Sequence, residues 1–280
     1  MQVATVDEAV SRCLEVLAQH PSGVFSDFDG TLSAIAPTPD AAEPYEGATE
    51  AVARLVPLVD EFAIITGRAA TDAQAKIGVP DIRVIGNHGL EMIENGVRRV
   101  HPVGVAATSS IGAAMDEISS KTTSLIDPTG MVFENKAYSG SVHFRNTPVP
   151  AAIDEVLAPI VHEVAEAHHL RVTGGKMMYE LRPLTVVSKG TALEELVQTL
   201  GLKGAIFFGD DVTDVDGFRN LRELRETRGC RTLAFGVMSE ETHPSVIEES
   251  DVLLSGVADT VQVLAELANR LAASGPESRG

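Results

Sequence analysis

The sequence predicts an α/β fold in which a parallel sheet is covered by helices on both faces and interrupted by a smaller α+β module. Three observations carry this expectation. Short apolar runs recur as FAIIT (Phe62 to Thr66), RVIG (Arg83 to Gly86), AIFFG (Ala205 to Gly209), RTLAFG (Arg231 to Gly236) and DVLL (Asp251 to Leu254). Segments of helical period lie between them, at Ala48 to Val59, Thr191 to Leu200 and Ala258 to Leu271. Continuous apolar strands separated by helices argue for a sheet buried on both sides. The middle of the chain reads differently. MVFENK and SGSVHFR alternate like strands joined by a turn, a helical stretch runs from about Pro150 to His169, and LRVT with MMYELRP gives a second strand pair. The expected division is a core of residues 1–103 and 184–280 with an inserted module at 104–183.

Taken in order, Val6, Val10, Cys13, Leu14 and Leu17 share one face of an N-terminal helix, and Pro21, Ser22 and Gly23 end that pattern. The stretch VFSDFDGTLSAIAP follows, an apolar strand that closes on two acids, Asp27 and Asp29, before Gly30. Like charges held side by side disfavour each other's ionisation, so a cation or a proton is needed there. A second acidic group, GDDVTDVD, follows AIFF in the same way and supplies Asp210, Asp211 and Asp214. FAIITGR ends its strand in Thr66 and Arg68, and VVSKG presents Lys189 just before a helix. In open parallel sheets, ligands bind at the carboxyl ends of the strands. Either acidic cluster alone also fits a simple turn. Clustered hard oxygens at adjacent strand ends suit Mg2+, which takes a few carboxylates and keeps water and phosphate as its other ligands.

Composition narrows the partners. With 22 basic against 40 acidic residues the net charge is −18, which opposes binding to nucleic acid or to an anionic membrane surface. No apolar run approaches the roughly 18 residues of a membrane span, and the N-terminus is unlike a signal peptide, so a cytoplasmic protein is expected. Cys13 and Cys230 lack metal-ligand spacing and read as buried thiols. His143, His168 and His169 have no ligand partner at the right spacing, whereas His88 sits in GNHG at a strand end. Ser139 to Ser141 does not form a nucleophile elbow, and TGGK and SKGT do not complete a Walker loop.

An acid pair, a strand-end Thr, a Lys and an acidic cluster, in this order, resemble the phosphatases of the haloacid dehalogenase superfamily. The resemblance implies a Rossmann-like parallel-sheet core with an inserted α+β cap. It also implies Asp27 as nucleophile through an aspartyl phosphate, and Asp29 as the acid that protonates the leaving group and later activates water. Thr66 and Lys189 would steady the phosphoryl group and the charge on Asp27. Mg2+ would be held by Asp27, the backbone carbonyl of Asp29, and Asp210, with Asp214 close by.

GNHGLE (Gly86 to Glu91), with ITGR, ENK, HFR, GKMMYELRP, SKG and GDDVTD in order, is further similar to the trehalose-6-phosphate phosphatases over about Val24 to Leu267. That likeness implies disaccharide contacts at Glu134, Lys136, Arg145, Lys176 and Glu180, with Arg68, Asn87 and His88 lining the route between cap and core. It implies hydrolysis of trehalose 6-phosphate and a functional link to a trehalose-phosphate synthase. One position departs from the pattern: Val215 stands where such proteins often carry Glu, which implies either weaker metal affinity or substitution by the Asp216 that follows. Competing readings are a phosphatase for sucrose phosphate, mannosylphosphoglycerate or a monosaccharide phosphate, a phosphomutase, and a catalytically idle sugar-binding module.

Overall fold

The computed structural model describes residues 3–175 and 177–274. Packing divides the chain into two units: Pro37–Asp40 with Val100–Val186 form the smaller, and the rest forms the larger. Residue 104 lies inside a helix and residue 183 ends a strand, so the changeover falls in the segments just outside those positions.

In chain order the larger unit begins with helix α1 (Val6–Leu17), strand β1 (Ser22–Ser26), α2 (Ala48–Leu55), β2 (Glu61–Ile65), α3 (Ala70–Ile77), β3 (Arg83–Gly86), β4 (Glu91–Glu94) and β5 (Val97–Val100). α1 starts at a capping box, in which Thr5 and Glu8 each accept the other's amide hydrogen. The smaller unit then supplies α4 (Pro102–Leu125), β6 (Val132–Asn135), β7 (Gly140–His143), α5 (Pro150–Ala167), β8 (Leu170–Gly175) and β9 (Met178–Pro183). The chain returns to the larger unit through α6 (Lys189–Thr199), β10 (Gly204–Gly209), α7 (Val212–Arg228), β11 (Arg231–Val237), α8 (Pro244–Glu249), β12 (Val252–Leu254) and α9 (Val257–Ala273).

The larger unit's sheet runs β12-β11-β10-β1-β2-β3-β4-β5 and is parallel from β12 to β3. Strand residues alternate between its two faces. Val24, Ile64, Ile206 and Phe208 pack under α1, α2, α3 and α9, while Phe25, Ile65 and Phe207 pack under α6, α7 and α8. Burial on both faces is why these strands read as unbroken apolar runs. β4 reverses direction against β3, and β4 leads to β5 through Asn95 and Gly96, both with positive φ. The sequence reading expected parallel strands only. β4 buries Glu91 and Ile93 but carries only two apolar residues between glutamates, and β5 has no fully buried residue, so neither shows the apolar run that revealed the others.

The smaller unit carries a four-stranded antiparallel sheet, β6-β7-β9-β8. Val142 and Leu181 pack with Ile111, Met115, Ile118, Leu157, Val161 and Val164 from α4 and α5. The opposite face holds a registered row, Glu134 beside Ser141, Ser141 beside Glu180, and Glu180 beside Thr173. α4 was not singled out in the sequence. Its buried positions Ile111, Ala114, Met115, Ile118 and Thr122 are helically spaced, but they lie among so many Ala, Ser and Thr residues that the contrast is low. Both cysteines are free and buried, and burial raises the pKa of the Cys13 thiol. Among the described residues, no helix is long and apolar enough to cross a membrane.

Candidate active site

Register explains why the acids meet. Ser26 at the end of β1 lies level with Phe208 of β10 and Ile64 of β2, and β1 is central. The chain therefore leaves three adjacent strands together, at Asp27, Asp210 and Thr66. From β1 the strand order runs one way through β2 and β3 and the other way through β10 to β12, so the cluster sits at the sheet's switch point. The Asp27 amide donates to Phe208 O at 2.8 Å, continuing the ladder one residue past the strand. The chain then turns tightly over Phe28 O, which accepts from the amides of Leu32 and Ser33. Gly30 makes this turn with φ +78, and a Cβ there would fall 2.1 Å from Asp210 Oδ2. No other residue fits both the left-handed backbone and the carboxylate beside it.

Asp27, Asp210 and Asp214 are all buried, and one carboxylate oxygen from each lies within 4.8 Å of the others. Lys189 neutralises part of this charge, with Nζ 2.9 Å from Asp27 Oδ2 and 2.8 Å from Asp214 Oδ1. It occupies the first turn of α6, where the helix dipole disfavours a cation, and the two carboxylates hold it there. Asp214 is fully engaged. Its Oδ2 accepts from the amides of Asp210 and Asp211 at 3.1 Å each, which caps α7 and fixes the loop bearing Asp210. The remaining oxygen of Asp27, Oδ1, is buried with no hydrogen-bond partner among the described residues.

Burial, with the neighbouring carboxylates of Asp214, Asp210 and Asp29, pushes Asp27 well above the ordinary carboxylate range, and Lys189 offsets this only in part. Burial likewise raises Asp214 against the pull of Lys189. For Lys189 itself burial opposes the charge, but Asp214 and Asp27 outweigh it and raise its pKa. A buried carboxylate with an unused oxygen, next to two more acids and with no nitrogen or sulfur donor among the three, fits a hard divalent cation such as Mg2+.

Asp29 is held differently. Arg68 Nε donates to its Oδ2 at 2.6 Å and Arg68 Nη2 to its Oδ1 at 2.7 Å, while Arg68 Nη1 reaches Asp72 Oδ2 at 2.7 Å. The guanidinium lies over the Phe28 ring, 5.4 Å from its centroid. Arg68 is thus almost buried on Asp29 and Asp72. Asp72, four residues on in the next helix turn, was missed; an acid at i+4 from an arginine is the signal that would have found it. Thr66 Oγ1 accepts the Arg68 amide at 3.2 Å, and Asn87 and His88 are buried beside it, both with positive φ. Asp216 does not stand in for an acid at position 215. It is exposed, two residues beyond Asp214 and so on another side of α7, while Val215 packs into the apolar layer.

In the smaller unit, Lys136 Nζ donates to Glu180 Oε1 at 3.0 Å and lies 3.9 Å from Glu134 Oε2. Ser139 Oγ also reaches Glu180 Oε1, at 3.3 Å. Glu134, Lys136 and Glu180 are therefore one cluster on the polar sheet face. Arg145 lies two residues past β7 and is half-buried. Lys176 lies outside the described residues.

Residues 25–250 match the trehalose-phosphatase family. The chain belongs to that family. A trehalose-phosphate phosphatase of Mycobacterium avium (strain 104) is 34% identical over 229 residues, which cover 79% of this chain and 56% of that protein. The chain spans about half the length of this and other curated relatives it matches. The C-terminal domain of a Candida albicans trehalose-6-phosphate phosphatase matches with a TM-score of 0.74 at 20% identity, over 95% of this chain and 97% of that one. A haloacid dehalogenase-like hydrolase from Bacteroides thetaiotaomicron matches with a TM-score of 0.59 at 13% identity, over 89% and 99%. These two likenesses show that this trehalose-phosphatase family member has the haloacid dehalogenase fold. The family's matched span takes in every site residue of the larger unit, from Asp27 to Asp214.

Proposed function

We propose that the protein is a Mg2+-dependent phosphatase that hydrolyses trehalose 6-phosphate to trehalose and phosphate. The observation that carries the reading is the unpaired Oδ1 of Asp27, buried beside Asp210 and Asp214 and backed by Lys189. Asp27 attacks phosphorus with one carboxylate oxygen, the other facing the ion, and becomes an aspartyl phosphate; the bond from phosphorus to the sugar oxygen breaks as the new one forms. Asp27, Asp210 and the backbone carbonyl of Asp29 hold the ion, with Asp214 orienting the loop behind Asp210. When bound, Mg2+ supplies the positive charge that lets a carboxylate approach a phosphate dianion.

Asp29 gives the departing sugar oxygen its proton and later takes one from the water that cleaves the acyl phosphate. Both of its oxygens engage Arg68 here, so at least one of those bonds opens before proton transfer. Asp72 keeps Arg68 in place when that happens. The Thr66 hydroxyl, already accepting from the Arg68 amide, offers its own hydrogen to a phosphoryl oxygen. Lys189 steadies the charge on Asp27 and phosphate.

The smaller unit, on this reading, is a cap that recognises the sugar. A disaccharide presents only hydroxyls, and the Glu134, Lys136 and Glu180 cluster offers acceptors and a donor held in fixed geometry. A synthase that makes trehalose 6-phosphate would supply the substrate. The deciding experiment follows phosphate release from trehalose 6-phosphate, sucrose 6-phosphate and glucose 6-phosphate, with Mg2+ or with chelator, beside Asp27→Asn. Release from the first substrate alone, lost in chelator and in the variant, is the expected result. Equal rates for Asp27→Asn would end the mechanism, and isomerised sugar without free phosphate would point to a mutase.

A further inference from the structure

Glu91 is a carboxylate whose side chain is fully buried, and neither the proposed chemistry nor sugar binding uses it. It begins β4, yet the four donor atoms on it come from three residues elsewhere in the fold. Oε1 accepts the Ala70 amide at 2.9 Å and Asn87 Nδ2 at 2.6 Å. Oε2 accepts Arg98 Nε at 2.7 Å and pairs with Arg98 Nη2 at 2.6 Å. Ala70 is the first residue of α3, and the position before it is Ala69, which has no side-chain oxygen to cap the helix. A carboxylate from another strand therefore satisfies an orphan amide and places negative charge at the positive end of α3. Arg98 reaches over from β5 and balances that charge, as a buried acid requires.

The residues tied together are those that carry the candidate chemistry. Asn87 N donates to Arg68 O at 2.7 Å, His88 N to Thr66 O at 2.9 Å, and Thr66 N to Ile85 O at 2.9 Å. The Thr66–Arg68 loop is thus laced along its backbone to the turn at Asn87 and His88. That turn is strained: Asn87 has φ +49 and His88 φ +55, a conformation side chains rarely adopt and which persists only when surroundings impose it. His88 also packs so tightly on Gly67 that a Cβ there would lie 2.6 Å from His88 Nε2. The bond from Asn87 to Glu91 and the cap on α3 brace both ends of this arrangement.

We infer that Glu91, charge-balanced by Arg98, is a positioning residue that aims Thr66 and Arg68 by locking the α3 N-terminus to the strained Asn87–His88 turn. The inference rests on the proposed roles of Thr66 and Arg68, while the locking itself is a property of the fold. Glu91 touches no reacting atom.

The test compares full-length wild type, Glu91→Ala, Glu91→Gln and Arg98→Gln by two readouts, amide hydrogen exchange and turnover of trehalose 6-phosphate well below each melting temperature. In Glu91→Ala, exchange at residues 66–70 and 86–90 should rise about tenfold or more while β1 and β10 keep their protection. Over the same comparison kcat should fall about tenfold to a hundredfold with KM changed far less. Glu91→Gln keeps an acceptor for Ala70 and Asn87 and should recover most of both losses. Unchanged exchange in those segments, or a rise spread evenly over the sheet with kcat intact, would overturn the inference. Should Glu91→Ala fail to fold, Glu91→Asp, whose shorter side chain cannot hold Ala70 and Asn87 together, decides on the same criteria, while Arg98→Gln, which leaves both of those bonds in place, should behave like Glu91→Gln. Should wild type release no phosphate, the functional reading fails while exchange alone still decides whether Glu91 locks the turn.

Discussion

At the scale of single residues, the site is governed by how few cations serve so many acids. Lys189 is buried between Asp27 and Asp214, and removing it leaves two buried carboxylates without their partner. Lys189→Ala should cost about 3–5 kcal/mol of stability, read from urea unfolding, as well as activity. Asp27→Asn, by contrast, should leave the fold intact and lower turnover about a thousandfold or more. The raised pKa values of Asp27 and Asp214 also give stability a slope with pH. Because the folded values exceed the unfolded ones, the contribution is complete below the ordinary carboxylate pKa of about 4 and is lost as pH rises through the folded values. In chelator, melting temperature should fall as pH climbs from about 5 to 8, less steeply in Asp27→Asn, and Mg2+ should restore most at the high end because it binds the ionised forms. A steeper fall in the variant would contradict this. The positions of Asp27, Thr66, Lys189 and Asp210 were legible because each follows an apolar run or opens a helix. The bidentate grip of Arg68 on Asp29 was not, since nothing in 39 residues of separation marks the pair.

At the scale of elements, β10 links packing to chemistry. Phe208, two residues before Asp210, is fully buried and stacks on Phe235 of β11 with ring centroids 4.4 Å apart. Phe208→Ala should cost about 3–5 kcal/mol, measured by denaturant unfolding, with activity lost only as the folded fraction falls. In the smaller unit, burial and a 2.5 Å bond donated to Asp154 push the Tyr179 hydroxyl up to about 12. Its folded pKa lies above the unfolded value of about 10, so its contribution is full below that pH and fades between about 10 and 12. Tyr179→Phe should therefore flatten the loss of stability across that interval, as followed by circular dichroism. The core strands were readable because burial on both faces leaves no polar alternation to confuse them. α4 and the β4–β5 edge were not, the one for lack of contrast among small residues, the other because the buried face of β4 alternates a glutamate with Ile93 and β5 has no buried face at all.

At the scale of the whole molecule, the proposed function places chemistry and recognition in different units. Glu180→Gln or Lys136→Met should raise KM for trehalose 6-phosphate about tenfold to a hundredfold while leaving release from p-nitrophenyl phosphate near wild type. Equal losses on both substrates would reject that division. The change from continuous apolar runs to alternating strand pairs is what suggested an inserted module in the sequence, whereas the segment Pro37–Asp40, which packs with the smaller unit, carries no sign of it. The central place of β1 has a last consequence. Its neighbour β10 is encoded some 180 residues later, so a growing polypeptide on the ribosome displays the strand leading to Asp27 with one flank bare until those residues have been made. Translation arrested just after the second unit would yield a product that owns Asp27 yet lacks Lys189 and Asp210, inert as a catalyst and, through the open flank, prone to clump.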